Sequence, residues 1–213
     1  MTQDTTNDAP LDPRAMLDLI EHETERVRDA ARRGVPWFYF SWGVMWLIGY
    51  LLLWAAQPDS GSPVAVALWV AVPVYIGLFV VAIAISAVVG VRMGRGIRGR
   101  STFVGAVYGL SWPILGGAFA ALGIALLQAG MDPTLAMLYY PSVYAFMVAA
   151  LYLAGAMIWV SIDQLAIAVI LAVAGSVAPF FGVPTNLLVM ALAAGGALIA
   201  GGVITVISLR TAR

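Results

Sequence analysis

Apolar residues run along most of this chain without a repeat, broken only by brief polar interruptions. A helix needs about 20 apolar residues, rising 1.5 Å each, to cross ~30 Å of hydrocarbon. Six stretches meet that requirement: 37–56, 64–91, 103–127, 135–160, 165–181 and 187–209. The connections are short and rich in turn formers, as in Gln57-Pro58-Asp59-Ser60-Gly61-Ser62-Pro63. A membrane β-barrel would instead show alternating segments of about ten residues. The pattern predicts an all-α, polytopic bundle of six transmembrane helices.

The first 36 residues are of a different kind. Asp12-Pro13 reads as an N-cap followed by a first-turn proline. Met16, Ile20, Val27 and Ala31 recur at helical spacing, with Leu17 and Leu19 beside them. Acids crowd the early turns and Arg26, Arg28, Arg32 and Arg33 the late ones, as the helix dipole favours. Gly34 and Pro36 read as the stop. An amphipathic helix over about 12–33 is therefore expected in a cytoplasmic segment 1–36, ahead of a transmembrane domain 37–213. Through Ile20 and Val27 it lies on the inner leaflet or under the bundle, or it docks a cytosolic partner such as an ATPase subunit or a regulator.

Composition agrees with the pattern. Hydrophobic residues are 62% and charged residues 10%, and mean hydropathy is +0.94, whereas soluble domains carry about 25% charge. Cysteine is absent, which excludes disulfides, thiolate nucleophiles and thiolate metal sites. The zero net charge hides an asymmetry: residues 1–36 hold eight acids and five arginines, the rest three acids and six arginines. Every arginine precedes 37–56, falls between 64–91 and 103–127 (Arg92, Arg95, Arg98, Arg100), or follows 187–209. Loops 57–63, 128–134 and 182–186 have none. Positive charge in short loops stays on the cytoplasmic side, so both termini are expected there, in a plasma-membrane protein. Trp37, Tyr39 and Trp159 would mark the inner headgroup level, and Trp54, Trp69, Tyr139 and Tyr140 the outer one.

Few motifs carry chemistry. Gly94-Arg95-Gly96-Ile97-Arg98-Gly99 matches a dinucleotide fingerprint by letter, but follows one span and opens another where the fold needs a strand first. It reads as an inner turn whose Arg92, Arg95, Arg98 and Arg100 meet anionic lipid or a partner. His22 is the only histidine, with Arg26 where a zinc-binding motif needs a second one. Asp163, between the fourth and fifth spans, either caps the fifth or stands in the inner mouth of a pathway. Pro73, Pro113, Pro141 and Pro179 fall within spans and predict kinks. Tyr75, Tyr108, Ser111, Trp112, Tyr144 and Tyr152 are candidates to line an aromatic cavity, where ring faces can hold organic cations. Small residues four apart (Ala82, Ser86, Gly90; Gly105, Gly109; Ala193, Ala197, Gly201, Thr205) predict close helix packing and leave a homo-oligomer open.

The passage Val91–Ser101, followed by Gly105, Tyr108-Gly109 and Ser111-Trp112, resembles a family of small actinobacterial membrane proteins. Ala15–Glu21 and the Trp37-to-Trp46 stretch look similar too. Members are commonly labelled transporters or integral membrane proteins, often beside genes for transcriptional regulators, so the resemblance implies a transport-related role with no residue assigned. A small carrier or the membrane subunit of an exporter is the leading expectation. The alternative is a non-transporting anchor or sensor holding a cytosolic regulator through the N-terminal helix and the arginine loop. Catalysis needs clustered acids, bases or metal ligands, and the spans hold none. No enzyme, cofactor or nucleic-acid partner is expected.

Overall fold

A computed structural model describes residues 13–94 and 100–211, the side chains of 13, 15, 20–33 and 100 excepted. Among the described residues, helices and short connections make up the chain, and no strand occurs. Six helices are long and apolar enough to cross a bilayer, so this is an all-α, multi-pass membrane protein. In order they are α1 (Pro13–Ala55), α2 (Leu68–Gly94), α3 (Arg100–Gln128) and α4 (Pro133–Trp159), then α5 and α6. α5 (Ile162–Val177) tightens into a 3-10 turn at Ala178–Phe181. α6 (Thr185–Thr211) contains a π-helical turn at Met190–Gly195.

One boundary differs from expectation. The 43 residues of α1 form one helix, and Gly34 and Pro36 do not stop it. Proline removes one N–H and crowds the carbonyl four residues back, but its φ is already helical. Only the bond to the Arg32 carbonyl is lost, near the expected membrane surface. Gly34 is a contact residue: a Cβ there would lie 2.5 Å from Met93 Sδ on α2. Segment 64–67 also differs, staying outside α2. Ser62 Oγ donates to the Val64 carbonyl at 2.8 Å, and the Val66 N–H donates to the Ala55 carbonyl at 3.4 Å. Pro73, Pro113 and Pro141 lie inside α2, α3 and α4, whereas Pro179 falls in the 3-10 turn after α5.

Capping explains the connections. Asp132 accepts from the Thr134 N–H at 2.7 Å to start α4, with Pro133 following. At the far end of α4, Val160 adopts the left-handed conformation (φ 50°, ψ 53°), and Ser161 caps α5 by accepting from the Gln164 N–H at 3.3 Å. Two residues thus reverse the chain.

Successive helices run antiparallel, which gathers Gly34, the end of α2, the start of α3, Val160-Ser161 and Thr211 at one end, with Arg92 and Arg210. We call it the arginine end. The core lies among α1, α4, α5 and α6, where Tyr39, Met45, Leu171, Met190 and Leu198 are fully buried. Glycines set the spacing of α1 and α6. A Cβ on Gly43 would lie 2.9 Å from the Ile199 backbone nitrogen, and one on Gly195 would lie 2.6 Å from that of Leu47. α2 packs on α1, and α3 on α4. α2 buries only Ala71 and Ala82, and nothing meets a Cβ built at Gly105, Gly109, Gly116 or Gly117 of α3. Both helices therefore pack little within the bundle.

Candidate functional site

Aromatic rings from three helices contact one another in a column within the bundle. Tyr39 (α1) meets Tyr152 (α4) edge-on at 6.0 Å, and Tyr152 meets Trp112 (α3) at 5.8 Å. Trp112 meets Tyr108 at 6.0 Å, and Tyr108 meets Trp159 at 4.7 Å with the rings at 88°. Edge-to-face pairs place the positive rim of one ring on the negative face of the next. Beside the column, Trp42, Trp46, Trp112, Val148, Tyr152 and Leu198 enclose a cavity of about 10 Å³. That is at the threshold for one water molecule.

Polar groups converge where the column reaches the arginine end. Tyr39 is only 2% exposed, and its hydroxyl has no hydrogen-bond partner. The buried Oε1 of Gln164, in the first turn of α5, has none either. A Cβ built on Gly155 would run into Gln164 Oε1 and lie 3.0 Å from the Tyr108 hydroxyl and 3.1 Å from the Trp159 ring. The missing side chain at Gly155 is therefore what lets these three groups meet.

Three of the six candidate cavity residues, Tyr108, Trp112 and Tyr152, share this column; the other three do not join it. Tyr75 packs on Tyr50 at 5.8 Å on the α1–α2 face. Tyr144 donates to the Gly116 carbonyl at 3.1 Å and stacks on Tyr140. Ser111 donates to the Val107 carbonyl at 2.8 Å inside its own helix. Asp163 is not the cap of α5, a place that Ser161 takes. It lies exposed in the first turn, and the helix begins at Ile162, before the expected Leu165. Arg92 is exposed at the end of α2. Arg95 and Arg98 lie outside the described residues, as do the side chains of Arg100, Ile20 and Val27.

Sequence reasoning missed Tyr39, Gln164, Trp42 and Trp46. Tyr39 was expected at the headgroup level, but faces the core. The available signal was spacing: Tyr39, Trp42, Trp46 and Tyr50 recur at three and four residues, which marks one helical face. Trp42 Nε1 also donates to Ser86 Oγ on α2 at 3.0 Å. At the opposite end, Asn186 donates to the Met137 carbonyl at 2.8 Å while its Oδ1 stays unpartnered. Compared with known proteins, the chain matches no family model, no curated protein and no solved structure.

Proposed function

We propose that the protein is a transport-related membrane component, a small carrier or the membrane subunit of an exporter, whose pathway follows the aromatic column. One observation carries the reading. The Tyr39 hydroxyl and Gln164 Oε1, buried at one end of the column, have no partners. An unsatisfied buried polar group costs about 1–3 kcal/mol, and hydrocarbon supplies no water to relieve it. A purely static anchor gains by apolar residues at both positions, whereas a pathway needs polar ones. Arginine placement in the sequence favours the cytosol for this end, and the resemblance to proteins labelled transporters agrees with the reading. The cavity beside the column has room for about one water in this conformation, so transport requires the bundle to open.

The test uses the absence of native cysteine. A single cysteine at Val148 or Leu198, both buried against the cavity, should react with a membrane-impermeant thiol reagent as the column opens. Reaction no faster than at Leu171, deep in the core, would contradict a pathway.

A second reading is favoured by the unbroken α1. About 20 residues span the bilayer, so residues 13–33 extend the same helix by roughly 30 Å. A regulator or ATPase subunit held there would pull directly on the helix that carries Tyr39, with Arg92 and lipid headgroups beside it. Deleting residues 1–33 should then abolish co-purification of that soluble partner from native membranes; unchanged co-purification counts against the docking role.

A further inference from the structure

Taken in chain order, the six helices close a ring: each packs on the next, and α6 packs back on α1. One seam of the ring is slack. α2 and α3 scarcely touch and are the least buried of the six. A Cβ at Gly77 or Gly90 of α2, or at Gly105 or Gly109 of α3, would meet nothing within 4 Å. Two half-buried indoles flank this seam. Trp42 of α1 leans on α2 through Phe79, at 5.7 Å, and through Ser86, while Trp112 belongs to α3. Both rings line the small cavity, to which α2 contributes no described residue. An empty gap forfeits dispersion contacts on both of its sides, so in a bilayer acyl chain enters it.

Charge selects the lipid. Arg92 is exposed in the last turn of α2, Arg100 opens α3, and Arg95 and Arg98 lie in the sequence between them, with no acid from 92 to 100. A phosphate diester forms charge-assisted hydrogen bonds with guanidinium groups, whereas a phosphocholine head brings a cation of its own. A second copy docked seam to seam in the same bilayer would set arginines against arginines at one depth. We propose that the α2–α3 seam is a lateral binding site for one anionic phospholipid. Its phosphate lies at the arginine end, on Arg92 and the arginines of the α2–α3 connection, and an acyl chain runs between the helices against Trp42 and Trp112. The inference goes beyond the transport reading and holds whether or not anything crosses the bundle.

The experiment reconstitutes full-length protein in phosphatidylcholine vesicles containing a small share of either phosphatidylglycerol or phosphatidylcholine with brominated chains. Bromine quenches nearby indoles, so tryptophan fluorescence reads acyl-chain contact. Brominated phosphatidylglycerol should quench saturably, and more strongly than brominated phosphatidylcholine at equal share. One arginine near an anionic lipid surface is worth about a fivefold preference, so Arg92→Gln should reduce the selectivity about fivefold, and Arg92→Gln with Arg100→Gln should nearly abolish it. Trp42→Phe and Trp112→Phe should each remove part of the selective quenching, and Trp69→Phe, exposed at the far end of α2, none of it. Glycerol phosphate, the head without its chains, should not compete. Equal quenching by the two lipids, a preference that survives loss of both arginines, one indifferent to Trp42 and Trp112, or competition by glycerol phosphate would overturn the site. A lone cysteine at Phe79 that cross-links to a second copy would give the seam to a dimer and overturn the lipid as its occupant.

Discussion

Replacing Gly195 by alanine should force α1 and α6 apart. The added Cβ would stand 2.6 Å from the Leu47 nitrogen and 2.8 Å from its Cα. Both are backbone atoms, so no side-chain rotation relieves the clash. The approach is roughly 0.8 Å inside ordinary contact, and gaps of 0.5–1 Å forfeit a quarter to a half of the dispersion well for the atoms that separate. Overpacked sites typically lose about 1–3 kcal/mol, while alanine recovers about 0.5–1 kcal/mol of helix propensity. The expected net loss is about 1 kcal/mol. Gly109→Ala is the control: nothing lies within 4 Å of a Cβ there, so only the propensity gain of at most about 1 kcal/mol remains. Reversible unfolding in mixed micelles, followed by tryptophan fluorescence, measures both. Gly43→Ala should couple with Gly195→Ala, because helices separated by one substitution have less contact left for the second to remove. A Gly195→Ala protein as stable as Gly109→Ala would refute the close α1–α6 approach.

Other positions test other parts of the account. Val160→Asn should stabilise the α4–α5 turn by about 1 kcal/mol, since a β-branched residue in the left-handed region is strained and asparagine tolerates it; a lower unfolding midpoint would remove that argument. Ser86→Ala should cost about 0.6 kcal/mol through loss of the Trp42 bond, and Trp42→Phe added to it should lose no further hydrogen-bond energy, which a double-mutant cycle reads directly. Asp132 is held below the usual carboxylate range by hydrogen bonds from the Thr134 side chain and backbone N–H. Its cap therefore contributes fully above that range and fades as pH falls through the lowered value. Wild type and Asp132→Ala should accordingly differ in thermal midpoint at neutral pH and converge on acidification; a gap that widens in acid would reverse the assignment.

The bundle was legible because crossing hydrocarbon demands about 20 apolar residues whatever the neighbours are. The helix ends were legible only where local chemistry decides them, as at Asp132-Pro133. Gly34-Pro36 misleads because a glycine and a proline have a stop signature in water, while here the glycine admits Met93 and the helix continues. The site was half legible. Aromatic residues in α3 and α4 stand out by type, but sequence cannot show that Tyr108 and Trp112 share a column with Tyr152 while Tyr75 and Tyr144 find partners elsewhere. Tyr39 shows the sharpest gap. The residue type favours an interface, and only the packing of α1 against α4 and α6 turns it inward. Gln164 becomes visible once Gly155 is placed opposite it, a pairing across a two-residue turn that depends on Val160.

The location of the proposed site depends on six crossings with the arginine end in the cytosol. Single cysteines at positions 59, 132 and 160 of this cysteine-free chain test it in intact cells with an impermeant thiol reagent. The account predicts labelling at 59 and 132 before permeabilisation and at 160 only afterwards. The reverse pattern, or opposite sides for 59 and 132, would contradict it.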